Sequence, residues 1–163
     1  MIIRFRPHHF LCSVSFQGKG YSPSFIQNFD TIKKQLEADP NQSIEIVTGL
    51  DSICQVCPER TTKGTCKKEK KVSALDQAHQ DILKLKQVKT IRWKDALHSI
   101  QNEMTIEKFH TACHGCEWKS LGICEKALST LLKKHPSRRS QHMRYNLRNS
   151  DKSLSLLKRN SGL

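Results

Sequence analysis

Six cysteines arranged in two triplets constrain this chain more than any other feature. The spacings are C-x2-C-x8-C for Cys54, Cys57 and Cys66, and C-x2-C-x7-C for Cys113, Cys116 and Cys124. A C-x2-C step lets a tight turn point two thiolates at one ion or cluster, and both zinc sites and iron–sulfur clusters use it. Two such pairs, each followed by a third Cys at a similar distance, predict that the chain binds metal.

The chain has one further cysteine, Cys12, which can supply a fourth thiolate to one triplet. The other triplet then needs a different fourth ligand, and His110 and His114 beside the second pair are candidates for it. His8 and His9 lie one helical turn before Cys12. They are candidates for metal ligation or for proton transfer beside the metal, and catalytic residues are otherwise unknown.

The spacing alone leaves the metal open between iron–sulfur and zinc. Structural zinc takes four ligands per ion, and iron–sulfur clusters also take four cysteines while tolerating a histidine or an open iron. The number of sites is open as well, because Cys54 and Cys57 could face Cys113 and Cys116 across a single site. A thioredoxin-like redox pair is disfavoured, since no βαβ unit that would carry it is predicted.

Composition and periodicity predict a small, metal-stabilised α+β domain that is predominantly helical, with one or two short strands. Hydrophobic residues make up 36% of the 163 positions, below the usual ~45–50%, so a metal site could supply stability that the core lacks. Apolar spacing and capping residues predict the individual elements. We expect strands over 1–6 and 43–47, and helices over 8–16, 23–38, from Ser73 onward, over 92–104, after Thr105 and from Cys124 to about 134.

The net charge of +13 is concentrated near the end of the sequence. From Lys133 to Leu163 there are nine Lys and Arg against one acid, so this stretch contributes +8. We therefore expect two regions, a cysteine-rich domain over residues 1–135 and a basic, flexible tail over 136–163. Nucleic acid is a candidate partner for this tail.

The sequence contains no apolar run long enough for a signal peptide or a membrane span. We therefore expect a cytoplasmic protein with no membrane partner. Thiols stay reduced in that compartment, so clustered cysteines indicate metal ligands before disulfides.

Several stretches together resemble a known family. They are Arg6-Pro7-His8-His9-Phe10-Leu11-Cys12, Phe16-Gln17-Gly18-Lys19-Gly20-Tyr21-Ser22, Asp51-Ser52-Ile53-Cys54-Gln55-Val56-Cys57-Pro58, Cys113-His114-Gly115-Cys116-Glu117-Trp118 and Gly122-Ile123-Cys124. The combination resembles the domain of unknown function 1284 family over about residues 2–134, outside the basic tail. Members are described as iron–sulfur binding proteins without an established activity. The resemblance thus implies iron–sulfur rather than zinc as the cofactor.

Three functions are compatible with these features. The first is an iron–sulfur protein with a redox or electron-transfer role and an unknown redox partner. The second is an enzyme that uses an open cluster iron as a Lewis acid on a small-molecule substrate, with His8 or His9 moving protons. The third is a structural zinc module that contacts nucleic acid through residues 136–163.

Overall fold

The computed structural model describes residues 2–134, so the basic tail over 136–163 and its expected flexibility lie outside the described residues. The described chain contains six α-helices and one three-stranded sheet, which confirms the predominantly helical α+β class. The elements are β1 (Ile3–Phe5), α1 (His9–Ser15), α2 (Pro23–Ala38), β2 (Ser43–Ile46), α3 (Glu69–Ile82), β3 (Thr90–Arg92), α4 (Trp93–Glu103), α5 (Ile106–Ala112) and α6 (Ile123–Lys134).

The sheet has the order β1-β2-β3, with β1 parallel and β3 antiparallel to β2. Ile3 pairs with Ile44, which pairs in turn with Ile91 on the other side. Arg4 and Glu45 lie opposite each other on the exposed face, with Arg4 Nε and Glu45 Oε2 3.1 Å apart. Because side chains alternate along a strand, the apolar residues of β1 and β2 cover the core on one face of the sheet.

The hydrophobic core lies between the sheet and the helices. The chain leaves β1, passes through α1 and α2, and returns to β2 beside it, so both helices belong to one crossover. Four apolar residues of α2 at helical spacing are all buried, namely Phe25, Phe29, Ile32 and Leu36. The side chains that are almost completely buried include Phe5, Phe10, Leu11, Leu36, Ile44, Ile53, Ile100, Met104, Phe109 and Leu128.

Three sequence predictions differ from the structure. No βαβ unit was predicted, but the parallel strands β1 and β2 are connected through α1 and α2. The helix expected from Ser73 begins four residues earlier, at Glu69, where the Cys66 carbonyl accepts a hydrogen bond from the Glu69 N–H. The structure also has a third strand, β3, beyond the one or two expected. Three residues are too few to show an alternating pattern in the sequence. Strand β3 forms by pairing with the edge of β2 that does not pair with β1.

The predicted ends of several other helices agree with the structure. The Ser22 side chain accepts a hydrogen bond from the Phe25 N–H at the start of α2, and Thr105 caps α5 in the same way. Gly122 has φ +69° and turns the chain into α6 just before Cys124. Glycine adopts this left-handed conformation without a Cβ penalty. In the described part of the chain, no helix combines the length and the apolar character needed to cross a membrane.

Candidate metal centre and adjoining cavity

The short helix α1 carries several polar side chains into a cavity of about 130 Å³. His8, Cys12 and Ser15 follow one another at spacings of four and three, so they share one face of the helix. All three line the cavity. Phe10 points into the core instead, where it is 0% exposed. Core packing of the apolar face therefore fixes the direction of the polar face.

Four of the seven cysteines line this same cavity, from three separate segments. Cys12 lies on α1, and Cys113 follows the last residue of α5. Cys116 lies in the turn after α5, where its N–H donates to the Cys113 carbonyl at 3.0 Å, and Cys124 lies in the first turn of α6. Helix α1 packs directly against α6. The structure thus brings the second triplet and Cys12 together.

The four thiols hinder one another's ionisation. Burial raises the pKa of Cys12 well above its usual value, and thiolates at Cys116, Cys124 and Cys113 would raise it further. Burial likewise raises the pKa of Cys113 to about 12, with Cys116 and Cys124 adding to the effect. Four thiolates this close need a positive charge among them. A metal ion or cluster would provide that charge and would favour the thiolate forms.

A second group of potential ligands lies apart from the four cavity cysteines. In residues 2–134, the donor atoms of His9, Asp51 and Cys54 all lie within 4.8 Å of one another.

The carboxylate oxygens of Asp51 already accept hydrogen bonds from several protein groups. Asp51 Oδ2 accepts from the Arg6 N–H at 2.8 Å and from His9 Nδ1 at 2.5 Å, and Oδ1 accepts from the N–H groups of Ile53 and Cys54, both at 3.0 Å. Burial would raise the pKa of Asp51, but His9 and these donors lower it to about 2. A metal would have to displace these bonds, so Asp51 acts as a structural acceptor that orients His9.

A second carboxylate, Asp76, orients His8. Its Oδ1 lies 2.6 Å from His8 Nδ1, and its Oδ2 accepts from Arg6 Nε at 2.7 Å. The guanidinium of Arg6 also binds Glu69 through both terminal nitrogens, at 2.7 and 3.2 Å, although Arg6 is only 1% exposed. Burial works against the charged form of Arg6, but the two acids reverse this and raise its pKa. The buried guanidinium of Arg6 thus links the segment before α1 to helix α3 through ion pairs.

The first triplet does not line the cavity. The pKa of Cys54 is raised by burial and then by Asp51, so its thiol belongs to the Asp51 group. Cys57 and Cys66 lie near each other at the base of a small loop, in which Arg60 and Cys66 form an antiparallel bridge. The Lys68 N–H donates to the Cys66 sulfur at 3.4 Å. Metal ligation by these three cysteines stays a prediction.

The two candidate histidines near the second pair lie on the surface. His110 and His114 are exposed and do not line the cavity, and His110 Nε2 lies 3.4 Å from Glu125. A different histidine, His79, is in contact with the cysteines. It is 1% exposed, its Nδ1 lies 2.8 Å from the Leu75 carbonyl, and its Nε2 lies 3.6 Å from Cys113 Sγ. Its position three residues after Asp76 gave no signal in the sequence.

Charged and aromatic side chains surround the mouth of the cavity. Lys68 and Lys71, from the lysine-rich stretch around Cys66, both pair with Glu117, at 3.0 and 3.3 Å. The lysines of the first cysteine loop thus lie beside the second triplet. Trp118 Nε1 donates to the Tyr21 hydroxyl at 3.3 Å, and the two rings are 5.0 Å apart. Trp118 and Tyr21 thus form part of the wall of the cysteine cavity.

One comparison with known proteins identifies the family. The family model described as "Protein of unknown function (DUF1284)" matches residues 20–122. The chain belongs to the DUF1284 family. The match spans the cavity-lining residues from Tyr21 to Lys119, and it covers both C-x2-C pairs. No curated protein and no solved structure matches this DUF1284 chain.

Proposed function

We propose that this DUF1284 protein binds an iron–sulfur cluster through Cys12, Cys113, Cys116 and Cys124 and that it functions in electron transfer. The observation that carries the proposal is the convergence of four cysteines from three segments on one cavity. Four cysteine ligands are the usual complement of both [2Fe–2S] and [4Fe–4S] clusters. When bound, the cluster would supply one-electron redox chemistry.

The surroundings of the four cysteines also support a bound cluster. Lys68, Lys71 and Lys119 line the same cavity as the sulfurs. Their positive charges would favour the thiolate form and would offset the negative charge of a four-thiolate cluster. The remaining lining is mostly apolar, and burial of this kind tunes the reduction potential of a cluster.

Metal and sulfide analysis of protein purified without oxygen tests the proposal. We expect iron and acid-labile sulfide in matched amounts and a broad visible absorption that bleaches reversibly on reduction. Stoichiometric zinc without sulfide, in colourless protein, would overturn it in favour of a structural zinc site.

Serine variants test which cysteines are ligands. We expect single Ser variants of Cys12, Cys113, Cys116 and Cys124 to lose most of their iron and sulfide. The matched controls are Ser variants of Cys54, Cys57 and Cys66, which share the C-x2-C-x8-C spacing but lie outside the cavity. If the controls lose iron while the Cys12 variant keeps it, the assignment of ligands is wrong.

A further inference from the structure

Cys57 and Cys66 lie on the two sides of a small hairpin outside the cysteine cavity. Arg60 and Cys66 form an antiparallel bridge, and the Lys67 N–H donates to the Glu59 carbonyl at 2.8 Å. Apart from one proline, the residues between the two cysteines include no large hydrophobic side chain. Backbone hydrogen bonds, rather than a hydrophobic core, therefore hold the two cysteines on opposite sides of the hairpin.

Each of the two cysteines begins a tight turn with the same hydrogen bonds. The carbonyl of each accepts from the N–H three residues later, at 3.0 Å for Cys57 and at 3.1 Å for Cys66. The sulfur of each accepts from the N–H two residues later, which is that of Glu59 for Cys57 and that of Lys68 for Cys66. Donors directed at a sulfur favour its thiolate form, which is the form that binds metal.

The two sulfurs are near enough to affect each other. Burial raises the pKa of Cys57 and a thiolate at Cys66 raises it further, while a backbone N–H and Lys68 act in the opposite direction. Both cysteines are free thiols and both are partly exposed. The third cysteine of this triplet, Cys54, has its thiol beside Asp51 instead. An ion that enters from solvent can therefore reach a pair of sulfurs.

The charge around this pair favours a monovalent ion. Residues 58–70 contain five Lys and Arg against two Glu, so the segment carries +3. Two thiolates around a monovalent ion carry a net charge of −1, which nearby positive charge stabilises, whereas around a divalent ion they carry none. Structural zinc also takes four ligands, and this pair supplies two. Soft thiolate ligands favour monovalent copper, an ion that forms stable complexes with two thiolates.

We propose that Cys57 and Cys66 form a two-thiolate binding site for monovalent copper, separate from the four-cysteine centre. Binding forms two Cu–S bonds and releases the two thiol protons to solvent, and the copper keeps its oxidation state. Neither sulfur belongs to the cavity that carries Cys12 and the second triplet. The copper site therefore does not depend on the proposed cluster.

Anaerobic titration of the purified, reduced protein with monovalent copper tests the site. A coloured copper(I) chelator, bicinchoninic acid, competes for the ion and reports its free concentration. We expect one tightly bound equivalent of copper, with the iron and sulfide content unchanged. No retention of copper against the chelator would overturn the proposal. Release of iron as copper binds would also overturn it, because the ion would then be entering the cavity.

Serine variants identify the ligands of the copper ion. We expect Cys57→Ser and Cys66→Ser each to weaken copper binding at least about hundredfold, since the loss of contacts around a metal ligand already costs ~10–100-fold. The matched control is Cys54→Ser, which removes the third thiol of the same triplet and should keep the wild-type affinity. Equal losses in all three variants would mean that three cysteines share the ion, which would contradict the two-thiolate site.

X-ray absorption at the copper edge counts the ligands in the wild-type protein and does not depend on variant folding. We expect two sulfur neighbours for each bound copper ion. A third sulfur neighbour, or a nitrogen neighbour from an imidazole, would overturn the assignment of Cys57 and Cys66 as the complete ligand set.

Discussion

Arg6 connects the residues that orient both imidazoles. Its backbone N–H donates to Asp51, and its guanidinium donates to Asp76 and Glu69. One residue therefore holds the two carboxylates that contact His8 and His9. Because a buried guanidinium is costly without partners, we expect the acids around it to contribute strongly to stability.

Replacing Asp76 by Asn should destabilise the fold by about 3 kcal/mol. The change leaves the buried Arg6 with one acid and removes the charged acceptor of His8, and breaking a buried ion pair typically costs ~3–5 kcal/mol. Urea denaturation measures the loss. The control is Asp81→Asn on the same helix, where the carboxylate is exposed and pairs with Lys86 at 2.9 Å. A loss below about 1 kcal/mol for Asp76→Asn would contradict the importance of this pair.

Stability should fall as the pH is lowered from about 6.5 to 4. The native pKa of His8 is lowered to about 4 by burial and by His9, whereas the unfolded value is about 6.5. Between these values the unfolded state binds the additional proton, so acid favours unfolding. The shift corresponds to roughly 3 kcal/mol. Asp51, with its pKa lowered to about 2, should continue the loss below about pH 4.

Denaturation curves collected from pH 7 to pH 4 test this dependence. The His8→Asn variant should show a flatter profile than the wild type over this interval, while His98→Asn should follow the wild type. A wild-type stability that stays constant between pH 6.5 and 4 would refute the lowered pKa of His8.

At the scale of single residues, the sequence indicated the candidate residues with reactive atoms more readily than the residues that hold them in position. Cys12 and the two histidines were identifiable because Cys and adjacent His residues are uncommon and closely spaced. Asp76 lies within the helix expected from Ser73 onward, and nothing in that pattern indicated that it would be buried well inside α3. No local pattern indicates that an acid will meet Arg6, which is 70 positions away in the sequence.

At the scale of elements, the packing of α1 against α6 assembles the candidate metal centre. Cys12 comes from α1 and Cys124 from α6, and these two helices are in direct contact. Leu128, one turn after Cys124, is completely buried. The hydrophobic contact and the cysteine cavity therefore depend on the same helix pair.

Replacing Leu128 by Ala should cost about 3 kcal/mol and should speed the loss of bound metal. A cavity left by a buried leucine typically costs ~2–5 kcal/mol, and looser packing of α6 would move Cys124. Denaturation and the rate of absorbance loss in air measure the two effects. Leu121→Ala is the control, because Leu121 is 49% exposed. Unchanged metal retention in the Leu128→Ala variant would show that the packing of α6 does not control metal binding by the cysteines.

Helices with apolar periodicity were predictable from the sequence. Elements that depend on contacts with residues far away in the sequence were missed. The helix predicted over 23–38 has the same bounds as α2 in the structure. The first turn of α3 lies in a run of Lys and Glu without apolar residues, so its start at Glu69 could not be recognised. Strand β3 has three residues and depends on pairing with β2.

At the scale of the whole molecule, the four cavity cysteines link an early segment of the chain to a late one. Removing the bound metal with a chelator under reducing conditions should therefore lower the Tm by at least about 10 °C. Calorimetry measures the shift. The same treatment should leave the Tm of the Cys116→Ser variant almost unchanged, since that protein is expected to lack the cluster already. A wild-type Tm that does not respond would mean that the fold is independent of metal.

Hydrogen exchange locates the effect within the molecule. Residues 113–124 and α6 should lose protection on metal removal, whereas α2, which supplies no cysteine to the cavity, should keep it. Equal loss of protection in α2 would indicate global unfolding instead.

The family and the fold class were predictable from the sequence, and the arrangement of the two triplets was not. The triplets have nearly equal spacings, so nothing in the sequence distinguished the one that meets Cys12. The difference arises because α5 and α6 bring the second triplet against α1, while Cys54 is held by Asp51 instead. Such a choice depends on packing between segments about 100 positions apart.

The place of Cys12 on α1 has a consequence for synthesis of the protein. Cys12 and Cys124 are 112 positions apart in the sequence, and ribosomes add about 5–20 residues per second. Cys12 is therefore synthesised about 6–22 s before Cys124. Helix α6 needs additional time to leave the ribosome. During this interval the Cys12 thiol is open to oxidation or mispairing. A centre that uses both cysteines could be completed only after Cys124 has been synthesised, so an oxidant pulse given during synthesis should damage this protein far more than the same pulse given after folding.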